Sequence, residues 1–209
     1  MTKLSIEAFE SRKVTSRSIK KPLHGVGIND VDFVIGIRVD GKMHLHPAYV
    51  CWSSMLRRCY SNNSLLRRPS YVGTSVCSEW RSFANFNSWW KATNVEDYVL
   101  DKDILGGGTL YSPDNCIFIP SGLNSFVAFG TGTSDLPVGV VKKPKNSNWN
   151  AVLTDRGSKT NLGLFSTPDL AHQAWKTAKL GIALERKPEM DDIDLRIYPN
   201  VVDVINRAE

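Results

Sequence analysis

The 209-residue chain contains no apolar run near the about 18 residues a membrane-crossing helix requires. It contains no CxxC pair, and its four cysteines (Cys51, Cys59, Cys77, Cys116) are scattered. The first absence excludes a transmembrane helix. The N-terminus also lacks the apolar core of a secretion signal, and four dispersed thiols cannot staple a secreted framework, so an intracellular, reducing location is expected. Cys59, Cys77 and Cys116 could meet around zinc, but buried free thiols are the commoner fate, and structural zinc is not expected. There is no internal repeat and no low-complexity array.

What is present is charge in blocks. Residues 1–68 hold 12 Lys/Arg against 5 Asp/Glu, and residues 133–187 hold 9 against 4. Between and after them, residues 69–132 hold 3 against 6 and residues 188–209 hold 2 against 6. Two basic regions separated by acidic ones suit a polyanion partner, because each phosphate contact releases a counterion.

Residues 1–25, rich in Lys, Arg and Ser, read as a flexible basic arm. Gly27 to Val39 alternates around Asn29-Asp30 and predicts a hairpin. From Pro47, the spacing of Tyr49, Trp52, Leu56 and Cys59 predicts a helix with Arg57 and Arg58 turned away from its apolar face. Residues 61–75 read as loop, and Ser82 to Trp90 as an aromatic-faced helix. Trp52, Trp80, Trp89 and Trp90 at such spacing form core more readily than a base-stacking platform. Tyr98–Leu105 and Cys116–Ile119 read as strands around Gly106-Gly107-Gly108, followed by a helix that Ser121 caps. Past Gly130–Asp135, three short strands (Val138–Lys142, Trp149–Thr154, Asn161–Phe165) precede a helix capped by Thr167 and running to about Ile182. Residues 188–209 read as an acidic tail with a short terminal helix. The fold class is α+β.

The chemistry centres on Asp101-Lys102-Asp103, with Asn115 and, nine residues on, Asn124. Alternation along a strand would point Asp101 and Asp103 the same way, so that they could jointly hold Mg²⁺ or another divalent ion. Together with Arg58-Cys59-Tyr60, Val76-Cys77-Ser78-Glu79-Trp80 and Tyr111-Ser112-Pro113-Asp114-Asn115-Cys116, this block resembles the phage HNH-like, or His-Me finger, nucleases over residues 45–128. The resemblance implies a ββα-metal core with flanking helices within a domain spanning 26–130. It assigns the metal to Asp101 and Asn124 and the loop brace to Asn115. Lys102 stands where the general-base His should be. A lysine with an ordinary pKa near ~10.4 is protonated at neutral pH and cannot take a proton from water. His44 and His46, two apart in a strand or turn, are the other imidazoles that could ligate metal or replace the base.

Leu136-Pro137-Val138-Gly139-Val140, Trp149-Asn150-Ala151, Leu162-Gly163-Leu164-Phe165-Ser166-Thr167 and Ala174-Trp175 resemble the Apetala-two/ethylene-response-factor DNA-binding domain, here over 134–187. That family lays a small three-stranded antiparallel sheet, packed on one helix, in the DNA major groove. The resemblance points to Lys142, Lys143, Lys145, Asn148, Trp149, Arg156, Lys159 and Asn161. Arg156, Asn148 and Trp149 are the expected base readers and the rest phosphate contacts. Arg57, Arg58, Arg67 and Arg68, with Ser61, Asn62 and Asn63 among them, are a second phosphate-gripping set.

Together the two halves resemble phage HNH homing endonucleases. The expected function is double-stranded DNA binding on a degenerate nuclease scaffold, with cleavage lost or weak, in the cytoplasm of an infected bacterium. A divergent metal-dependent nicking endonuclease is the alternative enzyme, and binding to a host protein the alternative outside nucleic-acid chemistry.

Overall fold

The structure is a computed structural model and describes residues 4–15, 21–106, 108–128, 136–142 and 148–209. In chain order its elements are α1 (Ile6–Glu10), β1 (Gly36–Val39), β2 (Lys42–Leu45), α2 (Pro47–Tyr60), α3 (Asn62–Arg67), β3 (Ser75–Val76), α4 (Phe83–Thr93), β4 (Tyr98–Asp101), β5 (Leu110–Tyr111), β6 (Ile117–Pro120), α5 (Ser121–Val127), β7 (Val140–Lys142), β8 (Trp149–Asp155), β9 (Ser158–Phe165), α6 (Pro168–Glu185), α7 (Lys187–Ile193) and α8 (Ile197–Arg207). The α+β class is as expected. No helix among the described residues is long and apolar enough to cross a membrane.

The chain divides into two compact units, residues 1–96 with 107–118, and residues 97–106 with 119–209. This differs from a boundary near residue 130. The reason is packing: α5 lies on β4 and against α8, so the strand and helix of the middle block belong with the C-terminal part.

In the first unit, α2 starts with Pro47, whose missing N–H is harmless in a first turn. It buries Ala48, Trp52, Met55, Leu56 and Cys59 against α4, which buries Phe83, Phe86 and Trp90. Ser82 caps α4 by accepting from Asn85 N at 3.1 Å. The expected hairpin lies further on than Asn29-Asp30: β1 and β2 pair antiparallel around Asp40-Gly41, both at positive φ, the backbone a tight turn demands. Asp30 instead accepts from Ser82 Oγ (2.6 Å) and Ala84 N (2.8 Å) at the start of α4. Residues 4–15 are not a loose arm. Phe9 is buried, Val14 N donates to Asp32 O, and Val34 N donates to Arg12 O. One buried aromatic anchors this segment, too sparse a signal to register as periodicity. Residues 61–75 hold α3 and a 3₁₀ turn at Pro69–Tyr71 rather than loop alone.

In the second unit, β7, β8 and β9 form the anticipated antiparallel sheet, with α6 across it and Thr167 as its N-cap. Val140, Ala151 and Ala171 form the centre of this contact. Residues 188–209 are more than an acidic tail with one short helix. Met190 of α7 and Ile197, Val201 and Ile205 of α8 are buried, the last three at the four-residue spacing of one helical face. His172 of α6 turns its two ring nitrogens to the carbonyls of Val138 (2.8 Å) and Ala208 (3.0 Å), tying the chain end to the strand region. The preceding strand, β4, pairs with β6, whose residues 119–120 lie in this unit.

Gly139 carries the closest approach. Its φ is +79°, and a Cβ there would lie 2.2 Å from the Trp175 ring, which is itself buried. Gly139→Ala is therefore expected to lower the stability of the second unit by about 3 kcal/mol, combining overpacking with a left-handed backbone. Chemical denaturation monitored by tryptophan fluorescence checks this, and a wild-type midpoint would contradict it.

Candidate nucleic-acid interface

Arg57 and Arg58 end α2, Arg67 ends α3 and Arg68 follows it. The tight α2–α3 junction at Ser61 folds these helices so that all four arginines, with Ser61 and Ser64, line one surface depression of about 280 Å³. Arg57, Arg67 and Arg68 are exposed, whereas Arg58 is partly buried and does not turn away as the helical pattern suggested. Its Nε donates to Tyr111 Oη at 3.2 Å, and its guanidinium lies over the Tyr111 and Tyr71 rings at 5.6 and 6.0 Å. Burial opposes its charge, but the two phenols outweigh burial and hold its pKa above the ordinary value. Tyr111 is placed there by the parallel pairing of β3 with β5, Val76 against Tyr111. Arg58 thus forms the fixed floor of the depression. Sequence spacing gave no hint of the tyrosines, which come from 13 and 53 residues away.

The acidic motif folds differently from its reading as a strand. β4 stops at Asp101, and the chain turns. Asp101 is buried and its Oδ1 accepts from Asp103 N (2.8 Å) and Ile104 N (2.7 Å). Burial raises its pKa, with those two N–H groups pulling the other way and Asp103 adding to the rise. Asp103 is exposed and does not share a face with Asp101, because the turn breaks the alternation. Its carboxylate pairs instead with the ammonium of buried Lys102. Asn124 sits half-buried on α5 in the same unit. Asn115 belongs to the first unit, where its Nδ2 donates to Leu110 O at 3.2 Å and braces the loop after β5. A divalent ion does not fit this donor set as it stands. One Asp101 oxygen already serves two backbone donors, and the other carboxylate holds a cation of its own. Among the described residues, no group of three or more His, Cys, Asp or Glu side chains is placed to hold a metal.

His44 and His46 do not pair. His44 lies half-buried in β2, whereas His46 is wholly buried at the start of α2 among Phe9, Phe33, Phe83 and Trp90. Among the described residues neither His46 ring nitrogen has a hydrogen-bond partner, and Glu10 Oε1 lies at 3.8 Å, beyond hydrogen-bonding reach. Sealed from solvent, this ring cannot activate water.

In the sheet unit, Trp149 is half-buried and packs on the Val140–Ala151–Ala171 core rather than presenting its ring to a base. Lys142 lies over its ring at 4.9 Å. Asn148, Lys159 and Asn161 are exposed, and Asn161 Oδ1 accepts from Gly163 N at 3.0 Å. Arg156 is exposed in the two-residue β8–β9 turn, with φ +46°. Lys143 and Lys145 lie outside the described residues.

Two outcomes follow. Asp101→Ala is expected to cost about 1–2 kcal/mol by orphaning two N–H groups, while Asp101→Asn, which keeps the acceptor, holds near wild-type stability. Urea denaturation of both variants checks this. Burial lowers the His46 pKa, with Lys91 adding to the effect and Glu10 opposing it. A group whose folded pKa is depressed contributes stability above its unfolded value near ~6.5 and loses it as pH falls toward the folded value. His46→Leu is therefore expected to flatten the fall in melting temperature between about pH 6.5 and more acid solution, and an unchanged slope would refute this.

No family model, curated protein or solved structure matches the chain.

Proposed function

We propose that this protein binds double-stranded DNA through its phosphates on an HNH-like scaffold that has lost the hydrolytic step. The observation that carries the reading is the convergence of Arg57, Arg58, Arg67 and Arg68 on one depression. Arginine is suited to this work because its fork donates two parallel hydrogen bonds to a phosphate and keeps its charge. A second support is the three-stranded sheet with α6 behind it and exposed Asn148, Arg156 and Lys159. Such a sheet fits a major groove ~12 Å wide. β4 and β6 pair with each other, with the short β5 between them in the chain, and α5 follows β6, an order that supports the scaffold assignment.

Cleavage is disfavoured by the chemistry of the motif rather than by its spacing. Metal-dependent hydrolysis of a phosphodiester uses an unprotonated base to activate water and a metal to stabilise the leaving oxygen. Lys102 is an ammonium locked on Asp103, and Asp101 is committed to the turn. The host is read as a bacterial cell carrying a phage, as the resemblance of both halves implies.

Gel shift of a duplex at rising salt tests the proposal. Affinity is expected to fall linearly on a log–log plot, and Arg67→Ala with Arg68→Ala to flatten the slope by about 1.8, near 0.9 for each phosphate contact removed. Both residues are exposed, so the variant keeps its fold. Supercoiled DNA incubated with Mg²⁺ or Mn²⁺ in parallel is expected to shift without nicking. Binding indifferent to salt would point to a protein partner, and metal-dependent nicking abolished by Asp101→Ala would restore the endonuclease reading.

A further inference from the structure

The arginine depression of the first unit concentrates charge to a degree that bears on which kind of phosphate it holds. From Gly41 to Ser78 the chain contains no Asp or Glu, yet Arg57, Arg58, Arg67 and Arg68 all fall within that stretch. No carboxylate lines the depression, and none of its four guanidinium groups is in an ion pair among the described residues. Ser61, Asn63 and Ser64 add hydroxyl and amide donors to the wall.

The four arginines are not equivalent. Arg58 is the recessed one, partly buried and stacked between the Tyr71 and Tyr111 rings. Its Nε is spent on Tyr111 Oη, which leaves its two Nη groups, without a hydrogen-bond partner among the described residues, for a ligand. Arg57, Arg67 and Arg68 are exposed and stand at the rim. An internal phosphodiester carries a single charge and has a sugar on either side, so it meets the rim more easily than the floor. A phosphate monoester carries nearly two charges on three acceptor oxygens at neutral pH. Bonded on one side only, it can project to the recessed guanidinium while rim arginines fork onto its remaining oxygens.

We propose that the arginine depression selects a terminal phosphate monoester, so that the protein favours phosphorylated ends and breaks of duplex DNA over the interior of the strand. This rests on the reading of the depression as a DNA-phosphate site and adds which phosphate it prefers. Internal diesters still bind there, more weakly.

The lining is arginine, serine and asparagine, of which arginine keeps its proton in proteins. Behind Arg58, burial pushes up both the Tyr111 phenol and the Cys51 thiol, the latter to about 12, and Tyr71 completes the set. The ionisation that matters near pH ~6 is therefore the second one of the ligand itself. Below it the monoester becomes singly charged, like a diester, and its advantage shrinks.

The test is fluorescence anisotropy of the full chain with one internally labelled duplex sequence. Its ends carry hydroxyls, 5′-phosphates, 3′-phosphates, or the same phosphates capped with methyl, which keeps the atoms and removes the second charge. Near pH 7.5 a phosphorylated end is expected to bind about tenfold more tightly than a hydroxyl end, and the capped end like the hydroxyl end. The terminus that gives the gain names the end recognised. At pH 5 the gain is expected to shrink to about twofold. Arg67→Gln with Arg68→Gln, both at exposed positions, is expected to reduce it to about threefold near pH 7.5. Salt-dependent binding with equal affinity for hydroxyl, phosphorylated and capped ends overturns the selection and leaves duplex binding standing. Absence of salt-dependent binding to every duplex overturns both. A gain that survives undiminished in the double variant places the monoester elsewhere and also overturns the proposal.

Discussion

Trp52 is wholly buried, and its indole N–H is satisfied only because the Trp80 carbonyl accepts it at 2.7 Å. An unpaired buried donor costs about 1–3 kcal/mol, so this bond fixes where α2 stands against the segment leading into α4. The rings then interlock: Trp52 with Tyr49 and Phe83 at 5.6 and 5.2 Å, Trp80 with Phe86 and Trp89 at 5.2 and 4.4 Å. The backbone at Gly27 passes so close that a Cβ there would lie 2.3 Å from Leu56 and 3.0 Å from the Trp52 ring. With one face of α2 held this way, its last turn presents Arg57 and Arg58 beside α3. The arginine depression is thus a consequence of aromatic packing on the other side of the same helix.

Cations are handled by opposite means in the two units. In the first, Arg58 is fixed by two phenols, and its neighbours Arg57, Arg67 and Arg68 stay in water. In the second, Lys179 and Arg186 are taken out of water onto Phe126 with one carboxylate between them. Removing ions from water costs several kcal/mol each unless they are paired, so the contact of Arg186 with Asp155 is part of what makes that burial tolerable.

Regular periodicity was legible in the sequence. The Tyr49–Trp52–Leu56–Cys59 spacing located α2, and Thr167 with the following apolar face located α6. The three short strand segments Val138–Lys142, Trp149–Thr154 and Asn161–Phe165 located the sheet. What stayed hidden depended on partners far along the chain. Phe9 was invisible because one aromatic in a basic segment makes no pattern. The Asp101–Asp103 alternation misled because a carboxylate accepting two N–H groups ends a strand as readily as it lines one. Trp149 read as a base contact, since exposure on a two-sided strand depends on register, and the register turns its ring to the core with Ala151. The Tyr71–Arg58–Tyr111 stack and the Phe126 cluster left no trace in residue spacing at all.

On the proposed reading, affinity and sequence preference come from different groups. Phosphates carry no base identity, so the arginine depression adds affinity to every sequence alike. Preference has to come from the sheet, and there the structure narrows the field. Trp149 is spent on the core, and an Asn161 that paired both its groups with adenine would give up its bond from Gly163. Asn148, Arg156 and Lys159 remain as the exposed groups able to read base edges. Three readers make few of the bidentate contacts that discriminate between bases, each worth about 1–3 kcal/mol. A protein so equipped binds duplex broadly and prefers sites weakly, a profile that suits occupancy of DNA rather than cutting at one address.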